Sequence, residues 1–214
     1  MESLTDDTIV DEQTTAERLV RAAIRAYRLH PFTEVDATVV ADIAGLPVEA
    51  VSRAFPTWDA LLLVTYDMWT NLRGTNRRRR AATTIDHVRT TLAEDVADPG
   101  LVRVLAGVIN IAGAGTTFAE LFRKRYGEYL AALAAGFQRD FDAGAEDALV
   151  PAERAATQLL ALYEGLQIQM LVRPDLDVLA EYDHAVRVLR DGWRHRPVPE
   201  WDLDVVPTSP VLPA

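Results

Sequence analysis

Glu49, Ser52 and Arg53 are the residues of this sequence whose types and spacing come nearest to a working site. A carboxylate can accept from a cytosine amino group, a hydroxyl can donate to phosphate, and a guanidinium can contact guanine or phosphate. Thr38 and Thr57 bring further hydroxyls to the same stretch. Each residue also has a plain structural use. Glu49 favours a helix N-terminus, Ser and Thr cap helices, and Arg53 suits a solvated surface. Groups suited to catalysis do not gather. His30, His87, His184 and His195 form no close ligand set, cysteine is absent, and no Ser sits in Gly-x-Ser-x-Gly. Gly107, Gly113 and Gly115 follow no strand, so they make no phosphate loop. The sequence therefore predicts no enzyme, no metal site and no cofactor.

The elements that hold Glu49, Ser52 and Arg53 are predicted to be two short helices. Asp36 is a suitable N-cap, and Val40, Ile43 and Ala44 recur at the spacing of one helix face. Gly45 can end that helix at positive φ, and Pro47 suits the first turn of the next. Val48, Val51 and Phe55 give the second helix an apolar stripe. Such short helices need partners to be stable. Helix, short turn, helix is the arrangement that presents its second helix to a DNA major groove.

The flanking chain supplies those partners. A helix is predicted from Thr14 or Thr15 to about Leu29, with Leu19, Val20, Ala23, Ile24 and Tyr27 on its apolar face. Arg18, Arg21, Arg25 and Arg28 lie roughly opposite, as a phosphate-facing stripe or as a solvated face. His30-Pro31 ends it. A long helix is predicted from Trp58 to about Leu72, interrupted at Gly74-Thr75-Asn76, with Arg77 to Arg80 read as solvated or acid-paired surface. Further helices are expected at 83–97, 100–112, 116–141, 152–172 and 175–194, separated by Gly- and Pro-containing breaks. The fold class is all-α: an N-terminal three-helix helix-turn-helix domain over 14–58 and a larger helical domain over 59–196. Residues 1–13 and the Pro-containing 197–214 are expected to be loose tails.

Charge follows the same division. Of the formal net charge of −10, residues 1–13 carry −5 and residues 81–214 carry −8, whereas residues 14–80 carry +3. Nucleic acid would be drawn to one end and repelled by the other. No stretch has the form of a signal peptide or a bilayer span, and a soluble cytoplasmic protein is expected, with no membrane partner.

Residues 17–69 resemble the TetR family of tetracycline-repressor-like regulators. The resemblance runs through Leu19 to Tyr27, Phe32, Val40-Ala41 with Ala44-Gly45-Leu46, Phe55-Pro56 and Asp59-Ala60-Leu61-Leu62. Residues 159–173 are similar to the family's penultimate helix. The resemblance implies a homodimer that binds a palindromic double-stranded operator and releases it when a small molecule fills the C-terminal domain. Carried onto this chain, it puts Thr38, Pro47, Val48, Glu49, Ser52, Arg53, Thr57 and Trp58 at DNA. Ser52 stands where the family usually has a phosphate-binding Tyr, and Trp58 where it often has Lys. Asp36 replaces a frequent Thr, and Glu49 a small residue. Because phosphate neutralisation supplies much of DNA affinity, these departures predict weaker binding than the family norm.

In the C-terminal part, Leu159, Leu162, Tyr163, Leu166 and Met170 form one helical stripe, and Leu179, Val186, Leu189 and Trp193 lie on another. Both are assigned to a four-helix dimer interface, the alternative being ordinary core. Trp69, Asn110, Phe118, Phe122, Tyr126 and Gln167 are candidates to line a pocket for a largely apolar effector, again against a core alternative. The acidity of this domain favours a neutral or cationic effector over an anion. A second reading of the chain is a helical dimer that binds a small molecule or partner and has degenerate DNA affinity.

Overall fold

The computed structural model describes the backbone of residues 3–77, 81–112, 117–147 and 149–194, with side chains over 14–73, 81–109, 119–147 and 149–194. Every regular element among these is helical: α1 (Ser3–Leu29), a 3₁₀ turn (Phe32–Glu34), α2 (Ala37–Ala44), α3 (Glu49–Ala54), α4 (Trp58–Arg77), α5 (Thr84–Ala97), α6 (Gly100–Ala112), α7 (Thr117–Asp142), α8 (Ala152–Val172) and α9 (Val178–Arg194).

The caps follow from local chemistry. Val39 N–H donates to Asp36 Oδ1 at 3.0 Å, closing the N-terminus of α2. Gly45 ends α2 in the left-handed region, φ 64° and ψ 40°, where a Cβ would be strained. Thr57 Oγ1 accepts from Ala60 N–H at 3.1 Å at the start of α4. Two boundaries differ from expectation. α1 begins at Ser3, so residues 3–13, expected as a tail, extend the helix backward. No Gly or Pro interrupts residues 1–30, and acids are favoured near a helix N-terminus. α4 likewise runs through Gly74 to Arg77, because one Gly costs a helix only about 1 kcal/mol. The Arg77 side chain, Arg78 to Arg80 and the segment 197–214 lie outside the described residues.

One cluster joins α1, α2 and α3 to Leu61, Leu62, Leu63 and Trp69 of α4 and Leu101, Val104 and Val108 of α6. The other is built from α5, α7, α8 and α9. Thus α4 and α6 are the floor on which the helix-turn-helix rests. The second cluster takes in the residues expected at a dimer interface. Leu159, Tyr163, Leu166, Val186 and Trp193 are buried within the subunit, and Leu162, Met170, Leu179 and Leu189 pack against the same core. A helical stripe says that a face is covered but not by what, and here α5 and α7 cover it. On α8 and α9 the large apolar side chains left open are Ile168 (62% exposed), Val172 (70%) and Val188 (60%).

Candidate nucleic-acid interface and effector core

The site on α3 is made by anchoring one side of a short helix. Ala50, Val51 and Phe55 are buried, while Pro47, Val48, Glu49, Ser52 and Arg53 are exposed. Val48, placed on the apolar stripe by its spacing, is instead 42% exposed on the outward side. Its backbone is helical, and Ala50 and Val51 N–H donate to the carbonyls of Pro47 and Val48. Ser52 Oγ donates to Glu49 O at 3.1 Å, which leaves its lone pairs outward as an acceptor. Arg53 makes no ion pair among the described residues and is free to engage a phosphate or base. Thr38 is exposed at α2, and Thr57 is exposed but occupied as a cap. Trp58 is partly buried, packed against the core that α1 and α4 share. Its large apolar area is worth more there than on the surface.

The arginines of α1 are mostly occupied by protein. Arg21 pairs with Glu17 at 2.7 Å, Arg18 reaches Gly45 O at 3.5 Å, and Arg28 donates to Asp98 Oδ2 at 2.8 Å. Arg25 is exposed with no such partner among the described residues. All four are exposed, so the stripe faces outward with three of its members already engaged by neighbouring protein groups.

Arg28 begins a polar chain running from α1 into the second core. Asp98 also pairs with Arg73, which donates to Asp95 Oδ1 at 2.6 Å. Asp95 in turn accepts from Tyr163 Oη at 2.6 Å and from Gln167 Nε2 at 2.9 Å. Trp69 stands beside the chain, with the guanidiniums of Arg28 and Arg73 at 4.9 and 5.7 Å from its ring centroid. Burial, then the Asp95 charge, pushes the Tyr163 phenol well up, so it stays a hydrogen-bond donor. Asp95 and Arg73 were not singled out from sequence, Arg28 was read only as one of the α1 arginines, and Asp98 only as part of a helix break. Asp95 carried one signal, since it continues the inward face of Val88 and Leu92. Its partners on α8 are 68 and 72 residues away, beyond any local pattern.

The ligand candidates separate accordingly. Trp69 and Gln167 are buried within this network, and Phe122 is buried edge-on to Tyr66 at 6.1 Å. Tyr126 is 37% exposed and donates to Glu164 Oε2 at 3.0 Å. The Asn110 and Phe118 side chains lie outside the described residues. An open groove lined by Arg21, Val64, Asp67, Met68, Asn71 and Leu72 contains none of the six candidates. No helix among the described residues is long and apolar enough to cross a membrane.

An anchored helix-turn-helix on an all-helical body defines a class of architecture, and comparison with solved structures shows which proteins share that fold. A TetR transcription regulator from Haloarcula marismortui ATCC 43049 superposes with a TM-score of 0.69 at 22% identity, over 85% of this chain and 98% of that one. FadR from Bacillus subtilis, in complex with stearoyl-CoA, gives 0.65 at 11% identity, over 82% and 98%. A candidate regulator from Saccharomonospora viridis in complex with choline gives 0.69 at 18%, over 86% and 100%. No protein-family model and no curated protein matches the chain. The fold is that of the TetR-family transcription regulators.

Proposed function

We propose that the protein is a homodimeric, non-enzymatic, cytoplasmic transcription regulator, a repressor that leaves a palindromic operator when a small effector binds its C-terminal core. The observation that carries this reading is the outward face of α3, with Val48, Glu49, Ser52 and Arg53 exposed on a helix whose other side is locked into the core. A helix so mounted fits a major groove. Two-fold operators need a two-fold protein, and the apolar face left by Ile168 and Val172 on α8 and Val188 on α9 suits a second copy. Effector response is supported by the chain from Gln167, Tyr163 and Asp95 through Arg73 and Asp98 to Arg28, since it ties the C-terminal core to α1.

The test is fluorescence anisotropy of duplexes from the region flanking the gene. A dimer should bind an inverted repeat there, with affinity falling steeply as salt rises. Glu49, Ser52 and the single cation Arg53 on α3 keep the second reading in play, a ligand- or partner-binding dimer with degenerate DNA affinity. Selection from random duplexes at low salt decides between them: no enriched sequence would leave only that second reading.

A further inference from the structure

Four carboxylates line the region where α4, α5, α7 and α8 meet, and three of them have their own guanidinium. Asp95 pairs with Arg73, Asp98 with Arg28 and Arg73, and Asp67 with Arg125 at 3.4 Å. Glu164 has no ion pair among the described residues; its partner is the Tyr126 hydroxyl. It is nevertheless half-buried, and burial raises its pKa against the opposing Tyr126 hydrogen bond. Two tyrosines reach it, Tyr126 by that hydrogen bond and Tyr66 through its field. Tyr66 of α4 lies within electrostatic range of Glu164, Asp67, Asp95 and Tyr129, and Phe122 bridges Tyr66 to Tyr126 at centroid separations of 6.1 and 6.4 Å. One turn along α8, Gln167 is buried with its Nε2 committed to Asp95 and Tyr163, and its Oε1 has no partner. Thr65 Oγ1, beside Tyr66, is also buried and unpartnered.

The vacant valences share one sign. An uncompensated carboxylate and a buried carbonyl oxygen both want donors or positive charge, and the faces of tyrosine rings attract cations. We propose that this seam takes an organic cation, an ammonium bearing apolar groups, with Glu164 as its counter-charge, Gln167 Oε1 as a buried acceptor, and Tyr66, Tyr126 and Tyr129 as its aromatic walls. The Arg73 and Arg125 guanidiniums are already neutralised by Asp95 and Asp67, so they leave the charge of Glu164 to the ligand. An anionic ligand would have to displace one of those pairs. The inference rests on the effector-responsive reading above and names the ligand chemistry.

Isothermal titration with benzyltrimethylammonium and with its neutral carbon isostere, neopentylbenzene, isolates the charge. The full chain should bind the cation at least about tenfold more tightly than the isostere, and Glu164→Gln should erase that preference while leaving the isostere unaffected. The variant keeps the side-chain shape, and its helical circular dichroism should match the parent. Equal affinities, a preference surviving in Glu164→Gln, or no binding of the cation up to about 10 mM would each overturn the proposal. Anisotropy of bound DNA is read in parallel. Cation binding without DNA binding would defeat the regulator reading and keep the site. Sequence-specific DNA binding by a protein indifferent to the cation would do the reverse.

Discussion

Arg53 and Asp95 illustrate two ways in which one charged side chain matters. Arg53 is exposed beside Glu49 and Ser52 on α3, so its contribution is made only when DNA is present. Arg53→Ala should cost operator binding about 1–3 kcal/mol and lower the slope of log affinity against log salt by about 1. Anisotropy at several salt concentrations measures both, and the unbound protein should melt as before. Asp95 is buried with Arg73, Tyr163 and Gln167 as partners. Asp95→Asn would take the buried counter-charge from Arg73, leaving it the more exposed Asp98 alone, and should lose about 3 kcal/mol in urea unfolding. Glu164 behaves oppositely. Its pKa in the folded chain is raised by burial above the ordinary glutamate value of 4.5. The folded state therefore holds its proton more tightly, and the stability so gained is present at low pH and disappears as pH rises from 4.5 through the folded pKa. Glu164→Gln should accordingly be at least as stable as the parent at neutral pH, an advantage that fades in acid. Thermal melts across that range check the sign.

At the scale of elements, the joint between α1, α4 and α6 decides how the helix-turn-helix is held. Gly100 opens α6 where a Cβ would stand 2.8 Å from Trp69 Cη2 and 3.0 Å from Tyr27 O. One neighbour is backbone and the other a ring flanked by two guanidiniums, so neither yields easily. Gly100→Ala should pry α6 from α1 at a cost of about 1–3 kcal/mol, visible as a lower melting temperature. The helix-turn-helix was readable in advance because its signals are local: an acceptor at Asp36, a left-handed position at Gly45, a proline at the next first turn. The breaks at Asp98-Pro99-Gly100 and Arg173-Pro174-Asp175 were readable for the same reason. The start of α1 and the passage of α4 through Gly74 were not, since a helix continues by cooperativity past residues that look weak in isolation.

The molecule as a whole has two cores bound by a polar chain, and an uncovered apolar face on α8 and α9. If that face joins two copies, Ile168→Glu with Val188→Glu should give monomers in sedimentation without loss of helical content. Operator affinity should fall with dimerisation, because each half-site would then be bound without its pair. Leu159, Tyr163, Leu166, Val186 and Trp193 do not suit this test, since those side chains are buried in the core of the subunit itself.

By itself, the order of residues determined that the chain is helical, where most helices stop, and which short segment turns a carboxylate, a hydroxyl and a guanidinium outward. These properties depend on neighbours within a turn or two, through capping, φ preferences and the 3.6-residue period. Only the tertiary structure decided which apolar stripes are core and which remain open, that Trp58 packs inward, and that Glu164 among the four carboxylates of its region lacks a countercharge. Those outcomes depend on partners brought together from distant parts of the chain, and periodicity along one helix carries no record of what lies across from it.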